Sequence, residues 1–278
     1  MTPIENYLKY ARYVKGYNTN TLKAYETDIR TFCHWLRNHR ADARWSTLTR
    51  ADIDAYITAR SQAGIKPATT NREISAISSI YGYFMREGVI SSNPTKFENR
   101  KKIPERIPNT IPMCDIKNAW RWAQGPIKDI IGLLATTGAR IQEVLDLKWQ
   151  DIDFTTCAIK IHGKGERERI VYTAPEVLER LKSLLPHARK EFRIFYLTQR
   201  EARRVIYDML RPFTRARQIS PHAIRHTYAT ELAKGGVNVA TIAKLLGHKR
   251  IDTTQKYIDM AQIETASNGL TNIVKLTA

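Results

Sequence analysis

The sequence predicts a mainly α-helical protein with a small antiparallel β-sheet, built from two domains. Residues 1–93 contain polar helix starts followed by apolar residues at helical spacing, which is typical of a small helical domain. Residues 94–112 contain several prolines and a basic run, which predicts an extended linker because proline cannot propagate a helix. Residues 113–278 combine helical patterns with short β-branched runs and therefore predict a mixed α+β domain.

The first domain is expected to contain four helices. The fourth has Pro67 in its first turn and Gly88 just beyond its end, the positions at which helices favour these two residues. Apolar side chains recur at helical spacing from Ile74 to Phe84, whereas the first turns are polar and include Arg72. Those polar turns are either a solvated face or a face that enters a DNA groove. The four helices are expected near residues 4–14, 18–38, 49–63 and 67–87.

The second domain is expected to surround one β-hairpin with helices. The sequence Gly163-Lys164-Gly165-Glu166 separates two β-branched runs, which predicts a turn with Lys164 at its tip. After the hairpin, helices are expected to resume at Pro175 and to continue to the end of the chain. Before it, helices are expected near residues 114–123, 127–137 and 140–148, and the strands near residues 151–154, 158–161 and 169–172.

The composition favours a basic globular protein that binds a polyanion. The 278 residues are 42% hydrophobic, which is enough for a core, and carry a formal net charge of +18 spread over both halves. No apolar run reaches the roughly 20 residues that a membrane helix needs, and no signal peptide is evident. The distant residues Cys33, Cys114 and Cys157 form no CxxC pair, which favours a reducing cytoplasm over a zinc ribbon or a disulfide framework.

The chemically suggestive residues lie in the second domain. Gly138 is expected to end one helix and to place Arg140 in the first turn of the next, where Glu143 could orient it through an ion pair. His222 and Arg225 are expected to share one helical face at i, i+3. Arginine forks are suited to phosphodiesters because they offer paired N–H donors.

Two further residues complete this set. His248 follows Gly247, which is expected to end a helix, and Tyr257 follows a Thr253-Thr254 capping signal. The histidine pair at positions 222 and 226 has the i, i+4 spacing of metal ligands, but the glutamate of a zinc protease is missing between them, so no metal is predicted. His226 is instead expected to be structural, with a hydrogen bond within the helix packing.

The order of these residues resembles that of the tyrosine recombinases, the phage-integrase family of DNA breaking and rejoining enzymes. In that family a TGxR motif, a lysine in a Gly-Lys-Gly hairpin, an HxxR motif, an LGH motif and a tyrosine follow one another. Here they correspond to Thr137–Arg140, Gly163–Gly165, His222–Arg225, Leu246–His248 and Tyr257, with Glu143 and the Leu147–Asp153 segment also matching the family pattern.

The resemblance implies a helical, SAM-like core-binding domain over residues 1–93 and a catalytic domain over residues 113–278. It also implies cofactor-free and metal-free transesterification through Tyr257, because a covalent phosphotyrosine conserves the energy of the phosphodiester bond. The roles that it implies are phosphate binding by Arg140 and Arg225, hydrogen-bond donation by His248, acceptance of the tyrosine proton by His222, and proton donation to the leaving 5′-oxygen by Lys164.

The resemblance also implies the partners. They are double-stranded DNA with paired half-sites and other copies of the chain, which would form a tetramer on DNA through the C-terminal tail. Packing of that tail on its own domain is the alternative. Accessory DNA-bending proteins are compatible with this scheme, and the expected location is the cytoplasm, in association with the nucleoid. The first helix begins near residue 4, which favours a simple recombinase of the Xer or plasmid-resolvase type over an integrase with an added arm-binding domain.

Two other classes of protein remain open at this point. A non-catalytic, sequence-specific DNA-binding protein of the same fold would bind DNA without forming covalent adducts. A metal-dependent nuclease would be sensitive to chelators, although the sequence has no acidic cluster to support it.

Further DNA contacts are expected outside the catalytic set. In a helix starting near residue 200, arginines would share one side, although Pro212 argues against a continuous helix there. The alternative is a solvated amphipathic helix. The candidate residues are Arg72, Lys101, Lys102, Arg200, Arg204 and Arg211, and Arg215 extends the same side.

Overall fold

The computed structural model describes residues 2–40, 42–96, 108–163, 168–184, 189–248 and 250–262. The chain divides into two compact units, Met1–Glu105 and Arg106–Ala278. The division falls inside the proline-containing stretch at residues 94–112.

The first unit is helical throughout its described elements. Helix α1 begins with a capping box in which Thr2 and Glu5 exchange hydrogen bonds between side chain and backbone. Apolar residues of several helices, including Phe32, Ile53 and Ile77, are fully buried and form the core. Two buried carboxylates also join the helices: Asp28 pairs with Arg72, and Glu73 accepts from Arg60. The helices are α1 (Pro3–Tyr13), α2 (Thr19–His39), α3 (Arg50–Gln62) and α4 (Pro67–Arg86).

The second unit packs helices around one small sheet. Within the described ranges, its helices are α5 (Met113–Trp122), α6 (Gly125–Thr137), α7 (Ile141–Leu145), α8 (Pro175–Lys182), α9 (Gln199–Leu210), α10 (Pro221–Lys234), α11 (Val239–Leu246) and α12 (residues 252–262). Its strands are β1 (Ile152–Asp153), β2 (Ala158–His162) and β3 (Glu168–Tyr172).

The three strands form the expected antiparallel sheet, in the order β1-β2-β3. Ile159 pairs with both Ile152 and Val171, which aligns three apolar residues across the sheet. The buried face carries Ile159, Ile161 and Val171 and packs against the core, because alternate residues of a strand point to the same side. The expected mainly helical fold with a small antiparallel sheet is therefore confirmed.

Helices resume at Pro175, as expected, but a non-helical segment separates α8 from α9. Helix α8 ends at Lys182, and the described residues 189–198 form turns and bends, with Arg193 in a β-bridge to Lys148. Helix α9 ends at Leu210, so Arg211 and Arg215 do not continue its arginine side. Pro212 explains this end, because proline lacks the N–H that a helix interior requires.

None of the described helices combines the length and the apolar content needed to cross a membrane. The three cysteines are free thiols in this structure.

Candidate active site

The junction between α6 and α7 places Arg140 at the centre of the site. Gly138 caps α6 in the left-handed region, with φ of 62°, and its peptide reverses the chain. Arg140 is the N-cap of α7 and has extended backbone angles, so it lies one residue before the first turn in which we expected it. A Cβ atom on Gly138 would collide with the Tyr228 ring, which shows how closely α10 packs under this junction.

The expected ion pair between Arg140 and Glu143 is confirmed. Glu143 Oε1 accepts from Arg140 Nη1 at 2.8 Å, and Oε2 accepts from the Arg140 backbone N–H at 2.7 Å. Burial alone would raise the pKa of the Glu143 carboxyl, but hydrogen bonds from Arg169 and Arg140 hold it below its usual value. Glu143 is therefore an anion that fixes both the backbone and the side chain of Arg140.

Arg225 is buried behind Arg140. Its side chain projects from α10, donates from Nη1 to the Gly138 carbonyl and from Nη2 to the Leu246 carbonyl, both at 2.6 Å, and its residue is only 4% exposed. Burial, followed by the positive charge of Arg140, lowers its pKa to about 10, so it remains a cation at neutral pH. These two bonds use two of the five guanidinium N–H groups, which leaves donors for a ligand.

Three arginines hold the C-terminal end of α11. The last carbonyls of a helix have no partner within the helix, and here Arg169 Nε donates to Leu245 O at 2.7 Å and Arg225 donates to Leu246 O. Arg140 Nη2 lies 3.5 Å from Gly247 O, at the limit of a hydrogen bond. The helix end thus brings together side chains from α7, β3 and α10.

His248 directly follows this helix end and contacts Thr254 of α12. The distance from His248 Nδ1 to Thr254 Oγ1 is 2.8 Å, and Thr254 is completely buried. Burial, then the charges of Arg225 and Arg140, lowers the pKa of His248 to about 4. The imidazole is therefore neutral near pH 7, and a hydroxyl that donates to Nδ1 leaves the proton on Nε2.

Tyr257 lies in α12 and is only 1% exposed. Its hydroxyl lies 2.6 Å from Nδ1 of His226, so it pairs with His226 rather than with His222 as we expected. Burial raises the pKa of Tyr257 to about 12, although the charge of Arg225 acts in the opposite direction. Burial and the charge of Lys256 lower the pKa of His226 to about 4, so the imidazole beside this hydroxyl is neutral.

The sequence-based role of His226 was therefore incomplete. It does make a hydrogen bond within the helix packing, but its partner is the hydroxyl of the candidate nucleophile on another helix. His222, by contrast, lies at an exposed position in the first turn of α10. Partial burial of its ring, then the charges of Arg225, Arg203 and Arg140, lowers its pKa and favours the neutral imidazole.

The other predicted residues are placed as follows. Lys164, Lys101 and Lys102 lie outside the described residues. In the first unit, Arg72 Nη1 lies 2.9 Å from Oδ2 of the buried Asp28, and its own side chain is about half exposed. In the second unit, Arg200 and Arg204 lie at exposed positions of α9, and Arg211 is exposed just beyond it.

Three contacts of the site were missed by sequence reasoning: Arg169, Thr254 and Tyr228. Arg169 follows the Lys164 hairpin on a strand, where an isolated arginine has no signal of its own. Thr254 was interpreted only as part of a capping signal. In the parts of the chain that the structure describes, no group of three or more His, Cys, Asp or Glu residues is placed to hold a metal ion.

Comparisons with known proteins match both units of the chain to one family. The family model described as the phage integrase family matches residues 116–263, and that of the phage integrase N-terminal SAM-like domain matches residues 4–88. The tyrosine recombinase XerC of Listeria welshimeri is 30% identical over 274 residues, with 91% of each chain covered. The tyrosine recombinase XerD of Oceanobacillus iheyensis is 26% identical over 273 residues, covering 91% of this chain and 92% of the relative.

Solved structures show the same fold at lower identity. The XerH site-specific recombinase bound to its difH substrate gives a TM-score of 0.71 at 19% identity, with 96% of this chain and 84% of that one covered. A lambda integrase dimer bound to a COC′ core site also gives 0.71 at 19% identity, covering 92% of this chain and 94% of that one. Because both the catalytic and the N-terminal family models match, this chain belongs to the phage integrase family and is a tyrosine recombinase, an enzyme of site-specific DNA recombination.

Proposed function

We propose that this recombinase cleaves DNA with Tyr257 as the nucleophile and with Arg140 and Arg225 as the phosphate-binding groups. The observation that supports this assignment best is the fixed position of Arg225, whose bonds to Gly138 and Leu246 connect the Arg140 junction to the turn that carries His248. Substrate binding then requires little reorganisation of these donors, which is what electrostatic stabilisation of a transition state demands.

The proposed reaction exchanges one phosphodiester bond for another. The Tyr257 oxygen attacks phosphorus, the bond from phosphorus to the 5′-oxygen breaks, and a 3′-phosphotyrosine forms together with a free 5′-hydroxyl. Negative charge grows on the non-bridging oxygens during attack, where Arg140 and Arg225 neutralise it. The Nε2–H of His248 adds a further hydrogen bond. Attack by a second 5′-hydroxyl reverses the step and completes strand exchange.

Tyr257 must leave its present contact before it can attack. It is buried and bonded to His226, and its pKa of about 12 disfavours the phenolate. DNA binding is proposed to move the part of α12 that carries Tyr257, so that the phenol reaches the phosphate, where the cationic groups favour its ionisation. The phenol proton passes either to His226, its hydrogen-bond partner in this structure, or to His222, as the family resemblance implied. Lys164 is proposed to protonate the leaving 5′-oxygen.

The substrate is proposed to be double-stranded DNA with paired half-sites. The net charge of +18 supports it, and the solved relatives were captured on DNA, one of them as a dimer on a core site. We further propose a tetramer on DNA in which residues 263–278 of one copy dock on another copy. A pocket of about 770 Å³ supports this, because it lies where α12 passes the end of α10 and is lined in part by Val237, Val239 and Ile258.

The biological task is proposed to be recombination between short paired sites, because the two curated relatives named above are Xer recombinases that match over about 91% of this chain. Integration of a mobile element is the second candidate, which the likeness to lambda integrase favours. Accessory DNA-bending proteins would set the direction in either case. The enzyme would act in the cytoplasm on the nucleoid.

The nucleophile is tested with a nicked suicide substrate, which traps the covalent complex for a denaturing gel. We expect Tyr257→Phe to form no adduct while DNA affinity stays within about twofold, because only the hydroxyl is lost. Tyr228→Phe is the matched control: it also removes one hydroxyl in the same unit, and it should still form the adduct. An adduct in Tyr257→Phe would place the nucleophile elsewhere, and absence of any adduct in the wild type would favour a non-catalytic DNA-binding protein.

A further inference from the structure

A buried arginine on β3 joins three parts of the active site. Arg169 donates from Nη2 to Glu143 Oε2 at 2.7 Å and from Nη1 to Glu143 Oε1 at 3.1 Å, which is a two-pronged contact with one carboxylate. Its Nε donates to the Leu245 carbonyl at 2.7 Å. The side chain of Arg169 is only 12% exposed and that of Glu143 only 7%, so water competes little for these bonds.

Each partner of Arg169 leads directly to a side chain of the mechanism proposed above, on which this inference rests. Glu143 holds the backbone and the guanidinium of Arg140. Leu245 lies in the last turn of α11, three residues before His248. The backbone of Gly247, which caps this helix, packs against the Arg169 guanidinium. A Cβ atom on Gly247 would lie 3.1 Å from Arg169 Nη1. Arg169 itself lies on β3, which pairs with β2 in the sheet.

The geometry points to Arg169 as a positioning residue of the recombination reaction. We propose that it sets the relative placement of Arg140 and His248 by holding Glu143 and the end of α11 together, without touching DNA. Three of its five N–H groups already have protein acceptors, and its burial leaves little surface for a phosphate. Lysine cannot replace it, because a single ammonium group cannot match both carboxylate oxygens and the carbonyl in one plane.

The first experiment separates the cleavage rate from DNA affinity. We expect Arg169→Lys to lower the single-turnover rate of adduct formation on a suicide substrate by a factor on the order of 10–10², by analogy with the loss of a supporting contact to a catalytic group. DNA affinity, measured by fluorescence anisotropy, should stay within about twofold. An affinity loss as large as the rate loss would make Arg169 a DNA contact and overturn the proposal.

Arg180→Lys is the matched control. Arg180 also joins a buried carboxylate to a backbone carbonyl in the same unit, since it donates to Asp129 at 2.5 Å and to the Gly125 carbonyl at 3.1 Å. Arg180→Lys should lower the free energy of unfolding, as Arg169→Lys does, but it should keep the wild-type cleavage rate. Urea titrations of both variants identify a temperature at which each is folded, and rates are compared there. Equal rates for the two variants would show that Arg169 has a structural role only.

A double-mutant cycle with Glu143→Gln tests the route of the effect. If Arg169 acts through Glu143, its replacement should cost much less in the Glu143→Gln background than in the wild type, because coupled residues are not additive. Additive losses would mean that the two residues act independently and would refute the proposed role. If Arg169→Lys does not fold, Glu143→Gln alone tests the contact between the two residues. It should likewise lower the rate of adduct formation while DNA affinity is retained.

Discussion

The packing of Gly138 against α10 makes Gly138→Ala a sensitive test of the site. A Cβ atom at this position would lie 2.7 Å from Tyr228 Cε1 and 3.0 Å from Leu246 Cδ2, and closer still to Tyr228 Cδ1. The backbone is also in the left-handed region, with φ of 62°. The variant therefore combines an unfavourable backbone conformation with a steric collision, and the Gly138 carbonyl is the acceptor that holds Arg225.

The size of the effect follows from these two contributions. A left-handed conformation costs a residue with a Cβ about 1–2 kcal/mol. Overpacking of a well-packed site adds about 1–3 kcal/mol, because Tyr228 or the backbone must move. We therefore expect Gly138→Ala to lower the free energy of unfolding by about 2–5 kcal/mol. Displacement of the Gly138 carbonyl should also slow DNA cleavage beyond what the loss of folded protein explains.

Gly236→Ala provides the matched control. Gly236 lies in the same unit and has φ of 80°, but no atom lies within 4 Å of a Cβ placed there. In Gly236→Ala the free energy of unfolding should fall only by the cost of the left-handed conformation, about 1–2 kcal/mol. This variant should cleave DNA at the wild-type rate. Urea denaturation gives the stabilities, and suicide-substrate cleavage below the transition gives the rates. Equal stability losses and equal rates in the two variants would refute the idea that the Tyr228 contact fixes the site.

Three further predictions concern the histidines and α9. Thr254→Val should slow single-turnover cleavage by about 10–10²-fold with DNA affinity unchanged, because His248 loses the hydroxyl that keeps a proton on Nε2; an unchanged rate would show that Thr254 does not set this tautomer. Burial and nearby cations lower the pKa values of His226 and His248 to about 4. The free energy of unfolding should therefore be highest above pH 6.5 and fall as the pH drops towards 4, by on the order of 1–3 kcal/mol per histidine. In urea titrations at pH 7.5 and pH 5, His226→Asn should show a smaller difference than the wild type, and an identical difference would contradict this linkage. Arg200→Ala and Arg204→Ala should each make the log–log salt dependence of DNA binding shallower by about 1 if they contact phosphates, whereas unchanged slopes would assign this side of α9 to solvent.

Local sequence patterns were sufficient to predict much of the fold. Gly138 can take the left-handed conformation, and the residues that follow it are typical of a helix start. The position of Arg140 was therefore predictable to within one residue. The Arg140–Glu143 pair needed only helical spacing. The antiparallel strands followed from β-branched runs on either side of a glycine-containing turn.

Contacts between residues that are distant in the sequence account for the features of the site that could not be predicted. Tyr257 and His226 are 31 positions apart, and nothing in their local patterns indicates that their side chains meet. Arg169 is 26 positions from Glu143 and 76 from Leu245. The non-helical segment at residues 189–198 likewise makes a tertiary contact, a β-bridge from Arg193 to Lys148, that local patterns do not reveal.

The way α11 ends has a consequence for the electrical potential of the site. Carbonyl groups carry no net charge, so they fix the guanidinium groups of Arg169 and Arg225 without neutralising them. Among these contacts Glu143 supplies the one full negative charge, against three arginines. Because these arginines are held mainly by carbonyl dipoles and not by counterions, a net positive field remains among largely buried side chains, where low polarisability extends its reach. A site of this kind would attract a phosphate before any contact is made.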